Sequence, residues 1–184
     1  MAGVVAVESR GEESLVQAVR AGDARAWAEL FDDNFQPLYR YALCRVHDHH
    51  AAEELASQVF EEAMRGVNGF RYRGVPLRAW LYRIAHNLTV DHLRRKSRQP
   101  ASTLFELEAN YDELQAAGVR TDFLRALRGL TDDQQQVVVL RFLQDLSIEE
   151  CAAITGKSPG AVKMLQSRGL ERLRSLLQGP EARQ

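Results

Sequence analysis

The sequence predicts an all-α protein made of two small helical domains joined by an acidic linker, the second domain containing a helix-turn-helix. Three observations predict it. Apolar residues recur at three- and four-residue steps through most of the chain. No run alternates apolar and polar residues convincingly enough to suggest a strand. Between Gln99 and Thr121 the character changes, with Pro100 breaking the helical pattern and an acidic stretch following it. At 184 residues, 45% apolar and 27% charged, the chain has a globular composition that excludes wholesale disorder.

The first domain is assigned to residues 10–98. Its helical pattern runs through Leu15, Val16 and Val19, then Trp27, Leu30 and Phe31, then Leu55, Val59, Phe60 and Met64. Breaks are expected at Gly11, Gly22-Asp23, Pro37, the polar run His47–His50, Gly66–Gly74 and Pro76, giving about four helices. The segment EELASQVFEEAMR, residues 53–65, should bury Leu55, Val59, Phe60 and Met64 and turn Glu53, Glu54, Gln58, Glu61 and Glu62 outward. The next segment, residues 69–98, is a Gly- and Pro-bounded loop leading into a helix with a basic end. Arg and Lys alternate there with Phe70, Tyr72, Trp80, Tyr82 and His86, a mixture suited to single-stranded DNA, whose bases stack on aromatics while cations follow the backbone. Trp80, Ile84, Leu88 and Asp91 share one helical face, which leaves Trp80 balanced between a core and a DNA-facing role.

The linker is assigned to residues 99–120, and residues 104–122 carry a net charge of minus four. The second domain is assigned to 121–178. Thr131 and Gln134 form a capping-box pair ahead of Val137, Val138, Leu140, Phe142 and Leu143. Ser147 caps a short helix IEECAAIT, Gly156-Lys157 makes the turn, and Ser158-Pro159 starts a longer helix. Val162, Leu165, Leu173 and Leu176 face inward on it, with Gly169 allowing close packing. Lys163, Gln166, Ser167, Arg168, Glu171 and Arg172 are left outside, and these are residue types that read base edges and phosphates.

The net charge of minus one would argue against a nucleic-acid binder if it were evenly spread. Residues 71–98 instead carry plus seven, residues 155–178 carry plus four, and residues 47–62 carry minus five. Such segregation offers one face to a polyanion and another to a basic partner. Cys44 and Cys151 lie inside apolar patterns, which suits reduced thiols and a cytoplasmic setting. Met1–Val7 lacks a basic flank, so no signal peptide is expected, and no segment approaches the roughly 18 apolar residues of a membrane span.

The acidic AEELASQVFEEAMR helix, the WLYRIAHNLTVDHLRRKSR helix, the acidic linker and LRFLQDLSIEECAAITGKSPGAVKMLQSRGLERLR together resemble the extracytoplasmic-function sigma factors of the sigma-70 family, over about residues 12–177. The resemblance implies a factor without enzymatic activity or cofactor that binds core RNA polymerase and directs promoter recognition, melting and initiation. Domain two, residues 10–98, would bind the polymerase clamp helices through Glu53, Glu54, Gln58 and Glu61. Its minus-ten contacts would be Phe70, Arg71, Tyr72, Arg73, Trp80, Asn87, Arg94, Arg95 and Lys96, with Asn87 and the loop Phe70–Val75 holding an extruded base. Domain four, residues 121–178, would bind the flap and read the minus-thirty-five element with Ser158, Lys163, Gln166, Ser167, Arg168 and Arg172. An anti-sigma factor would be a further partner. MLQSRG is less basic than the stretch many members carry, which points to an unusual promoter preference, and the chain stops soon after domain four, so no extra regulatory domain is expected.

Two other readings compete. His47, Asp48, His49, His50, Glu53 and Glu54 superficially suggest a metal site, but no second cluster supplies a convincing third ligand. A stand-alone helix-turn-helix regulator would bind duplex DNA without polymerase; the aromatic-basic helix, suited to unpaired DNA, argues against it.

Overall fold

The computed structural model describes residues 2–71, 75–98 and 121–178, and every regular element among them is helical. The first unit holds α1 (Ala2–Arg20), α2 (Ala24–Val46), α3 (His49–Gly66), a 3₁₀ turn (Val67–Gly69) and α4 (Leu77–Ser97). The second holds α5 (Thr121–Leu127), α6 (Asp132–Phe142), α7 (Ile148–Thr155) and α8 (Pro159–Leu177). The linker expected over 99–120 lies outside the described residues.

In the first unit α2, α3 and α4 pack against one another and α1 lies on α2. Asp23 starts α2 by accepting from the N–H groups of Arg25 at 2.8 Å and Ala26 at 3.0 Å. Asp48 starts α3 by accepting from Ala51 N at 3.0 Å. Between them His47 adopts a left-handed φ of 55° and donates its N–H to Leu43 O at 3.0 Å, which closes α2. The start of α4 is different. Pro76 has no capping side chain, and the Leu77 N–H is instead taken by the carboxylate of Glu12 on α1.

Several expectations fail here. Gly11 does not break α1, and Pro37 lies inside α2. An internal proline costs about 3 kcal/mol by deleting one helical hydrogen bond. Burial of Leu30, Leu38 and Tyr41 along the same helix offsets this. Met64, placed in the core by its spacing, is 61% exposed. Phe142, Leu143 and Leu176 also stay exposed, because the helical period says which residues share a stripe but not where the partner helix ends. On α4 the deep face is Leu77, Leu81, Ala85 and Thr89, while Trp80, Ile84 and Leu88 are only half-buried.

In the second unit the caps fall as expected. Thr131 and Gln134 form a reciprocal box before α6, and Ser147 and Glu150 form one before α7. Gly156 turns the chain with φ 68°, and Ser158 Oγ accepts from Ala161 N at 3.2 Å ahead of Pro159. Gly169 is buried beneath α6, where a Cβ would meet Val138 Cγ2 at 2.9 Å, so only glycine lets α8 lie this close. The two units are in contact. Helix α7 packs on α4 and α6 on α2, and one apolar cluster runs through both.

Candidate nucleic-acid interface

A cavity of about 720 Å³ opens beside α4, walled by Phe70, Arg71, Val75, Trp80, Arg83, Ile84, Asn87 and Leu88. The half-turn from Gly66 to Phe70 folds back so that the Phe70 ring lies 5.1 Å from the Trp80 ring, centroid to centroid. Phe70 is buried in this pair, while Trp80 remains half-buried and faces the cavity. Asn87 and Arg83 are exposed on the same wall. Apolar walls with a few polar groups suit a flat, polar-edged ligand such as an unstacked base. The spacing 80, 83/84, 87 puts all three positions on one face, a signal that would have included Arg83 in the site. Tyr72 and Arg73, the remaining loop residues expected here, lie outside the described residues.

The basic end of α4 does not share the cavity wall. Arg94, Arg95 and Lys96 are exposed one to two turns further on, with Arg95 Nε donating to Asp91 O at 3.3 Å and Arg94 Nη1 3.8 Å from Asp91 Oδ1. Arg71 folds back on its own turn, donating to Asn68 O at 3.0 Å.

On α8 the exposed front consists of Lys163, Ser167, Arg168, Glu171 and Arg172, with Ser158 at its start. Two expected readers are partly engaged within the protein. Gln166 is half-buried and its Oε1 accepts from Arg141 Nε at 3.1 Å, which engages its amide oxygen and not its NH₂. Arg172 reaches back to Gly129 O at 3.5 Å. Arg141 also donates to Leu146 O, so one guanidinium ties α6, the turn before α7, and α8 together.

The acidic face of α3 is exposed at Glu53, Glu54 and Glu61, with Gln58 half-buried and donating to Glu54 Oε1 at 3.0 Å. Arg65 pairs with Glu61 at 3.3 Å and Glu62 at 2.6 Å, so part of that negative charge is balanced from one turn away. Sequence reasoning missed the neighbouring aromatics. Phe31, 41% exposed, stacks on Phe35 with ring centroids 4.9 Å apart and lies tilted against Phe60 at 4.7 Å. Among the described residues no three His, Cys, Asp or Glu side chains converge as metal ligands. Asp48 is committed to its cap, and His49 bonds the Tyr39 hydroxyl at 2.8 Å.

Where the units meet, Arg45 of α2 is buried, and its Nη1 donates to Gln135 Oε1 at 2.5 Å and to Asp132 O at 3.2 Å. Gln135 Nε2 answers by donating to Cys44 O at 3.0 Å. Tyr82 Oη donates to Gln144 Oε1 at 2.5 Å, and Gln136 meets His86 Nδ1. Burial, reinforced by Arg45 and Lys157, pushes the His86 imidazole down to about 4.

Comparison with known proteins accounts for this arrangement. The Sigma-70 region 2 family matches residues 30–99, and the Sigma-70 region 4 family matches 120–173. The ECF RNA polymerase sigma factor SigM of Mycobacterium tuberculosis is 30% identical over 168 residues, covering 91% of this chain and 85% of SigM. The chain belongs to the extracytoplasmic-function sigma factors. This sigma factor is also 38% identical to BldN of Streptomyces coelicolor over 89% of its own length, a match that spans 64% of BldN. Its fold is shared with CnrH, solved with the cytosolic domain of CnrY, at a TM-score of 0.71 and 24% identity over 92% of this chain and 98% of that one. RpoE of Bartonella quintana, solved with the anti-sigma factor NepR, aligns at a TM-score of 0.60 and 22% identity over 94% and 97%. Sigma factors bind core RNA polymerase and direct transcription initiation at promoters, so the stand-alone regulator is set aside. No helix among the described residues is long and apolar enough to cross a membrane.

Proposed function

We propose that this sigma factor works in the cytoplasm, without chemistry of its own, through three separate faces. Glu53, Glu54, Gln58 and Glu61 meet the basic clamp helices of core polymerase, with Phe31 as an apolar anchor beside them. The cavity beside α4 takes a base extruded from the minus-ten element, with Asn87 on its polar edge, Trp80 as stacking wall and Arg71, Arg83, Arg94, Arg95 and Lys96 along the strand. Lys163, Ser167 and Arg168 enter the minus-thirty-five major groove, Gln166 contributes its NH₂, and Ser158 and Arg172 flank them toward phosphate. Phe142 and Leu143, exposed at the end of α6, suit the polymerase flap. An anti-sigma protein covering these faces is the expected regulator.

The observation that carries this reading is the cavity, because an aromatic and amide-lined pocket on a basic helix serves unpaired DNA and has no use in a duplex-only binder. Run-off transcription with bacterial core polymerase, over fragmented DNA from the same source, tests it. New start sites sharing two upstream elements are expected. No transcripts together with no association with polymerase would overturn it.

A further inference from the structure

The segment that walls the cavity is held at both ends from α1, a helix that precedes the residues matched by the region 2 family. Where the chain approaches the cavity, Arg20 Nη2 donates to Asn68 O at 3.3 Å, and the same carbonyl takes a bond from Arg71 Nη1 at 3.0 Å. Where it leaves, the Glu12 carboxylate accepts from Leu77 N. Between those two points lie Gly69, Phe70 and Val75, all of them cavity walls.

Helix α1 is built to hold that spacing. Glu12 and Arg20 are eight residues apart, roughly 12 Å along the helix axis. Val16 and Val19 are buried on the same stripe between them. The helix is itself anchored, because Trp27 Nε1 of α2 donates to Val19 O at 3.0 Å. Nothing nearby replaces the Glu12 contact. Pro76 offers no capping side chain, and the first N–H groups of a helix have no partner within it. The half-buried Glu12 supplies the acceptor, and the helix dipole favours its negative charge at that end. Trp80 and Asn87 follow on the helix so capped, while Phe70, whose ring lies 5.1 Å from that of Trp80, follows the carbonyl that Arg20 holds.

We propose that Glu12, with Arg20 as its lesser partner, is a positioning residue for base selectivity, through which α1 sets the width of the minus-ten pocket without touching DNA. This rests on the minus-ten reading above. A pocket distinguishes one flat base from another only while its walls are held to about 0.5 Å, so a loosened rim accepts more bases rather than binding none.

The test uses holoenzyme formed from the full chain and core polymerase, on pre-melted promoters whose unpaired minus-ten positions carry each base in turn. The readout is the ratio of transcripts from the best and the worst base. Glu12→Ala should lower that ratio about fivefold, the factor for one lost cap, with polymerase co-elution unchanged. Glu12→Gln keeps a side-chain oxygen as acceptor and should restore most of the ratio. Arg20→Ala, an exposed change that leaves the core intact, should lower the ratio by less. Hydrogen exchange of the free protein gives a readout independent of DNA. The N–H groups of Phe70, Ala79 and Trp80, bonded to Val67 O and Pro76 O, should exchange about fivefold faster in Glu12→Ala. Unchanged exchange at these groups would overturn the proposal, as would a loss of selectivity that Glu12→Gln does not restore. A ratio that responds to Asn87→Ala but not to Glu12→Ala sinks the proposal and leaves the minus-ten reading standing. A ratio of one in the unaltered holoenzyme sinks that reading, and the selectivity role with it, even where exchange shows the cap to be present.

Discussion

In region 4 the residues that cap and turn the recognition helix act within three positions of themselves. Ser147 and Glu150 cap α7, Gly156 turns the chain, and Ser158 caps α8 through Ala161 N. In region 2 the corresponding helix, α4, is started by Glu12 from 65 residues away. Its pocket is completed by a folded-back Phe70 and by Ile154 of the other unit. The first site is capped locally; the second is assembled from distant elements. Local capping resists change because each bond forms with its own helix, whereas an assembled pocket depends on every element that holds it.

The contrast can be broken most forcefully at Gly169. Gly169→Val places a Cβ at 2.9 Å from Val138 Cγ2, with two methyl groups beyond it, and should cost region 4 about 3 kcal/mol, measured by chemical denaturation. Region 2 should keep its own core, so polymerase co-elution through the clamp face should survive while promoter use is lost. A smaller effect is expected from Lys163→Ala with Arg168→Ala, which should weaken promoter binding about a hundredfold, at roughly 1–3 kcal/mol per contact, without loss of polymerase association. Equal loss of both would remove these residues from the groove. Asn87→Ala should slow open-complex formation about tenfold on duplex promoters and much less on pre-melted ones, since one hydrogen bond in a pocket is at stake.

Two cap deletions sharpen the comparison directly. Ser147→Ala and Glu12→Ala should each cost about 1 kcal/mol. Hydrogen exchange should localise the first to α7 alone and spread the second over α1, α4 and the cavity wall; confinement of the Glu12→Ala effect to α1 would show the long-range cap to be unimportant.

The smallest effect concerns pH. The His86 imidazole meets Gln136 in the seam, near Arg45, Lys157 and Arg94 with Asp133 opposing, and is held at about 4 rather than its ordinary 6.5. Protonation is therefore disfavoured while the seam is formed, so the folded contact loses stability as pH falls from 6.5 toward about 4. The midpoint of chemical denaturation should fall between neutral pH and about pH 5.5, and His86→Gln should blunt the fall.

The same division explains how much could be read in advance. The caps at Thr131, Ser147 and Ser158, the glycine turn at 156 and the close approach at Gly169 are each signalled by a residue type at a fixed offset, and all are present. Pro37 and Gly11 misled because a local breaker signal was outweighed by tertiary burial along α2 and by continuation of α1. Met64 misled because a periodic stripe can be wider than the partner surface that covers it. Phe31 and Ile154 were missed as members of functional surfaces because their neighbours come from other elements, whereas Arg83 was signalled by its spacing from Trp80 and Asn87 on one helix.

The sequence by itself determined an all-α chain, the order of its two units, the helix-turn-helix and the segregation of acidic from basic faces, since helical period, capping and charge are properties of short windows. Only the tertiary structure decided that Phe70 and Trp80 pair into a cavity wall, that Arg45 is buried against Gln135, and that α7 lies across the pocket. Those contacts join residues tens of positions apart, and their free energy depends on which surfaces exclude water together, which no single stretch of sequence encodes.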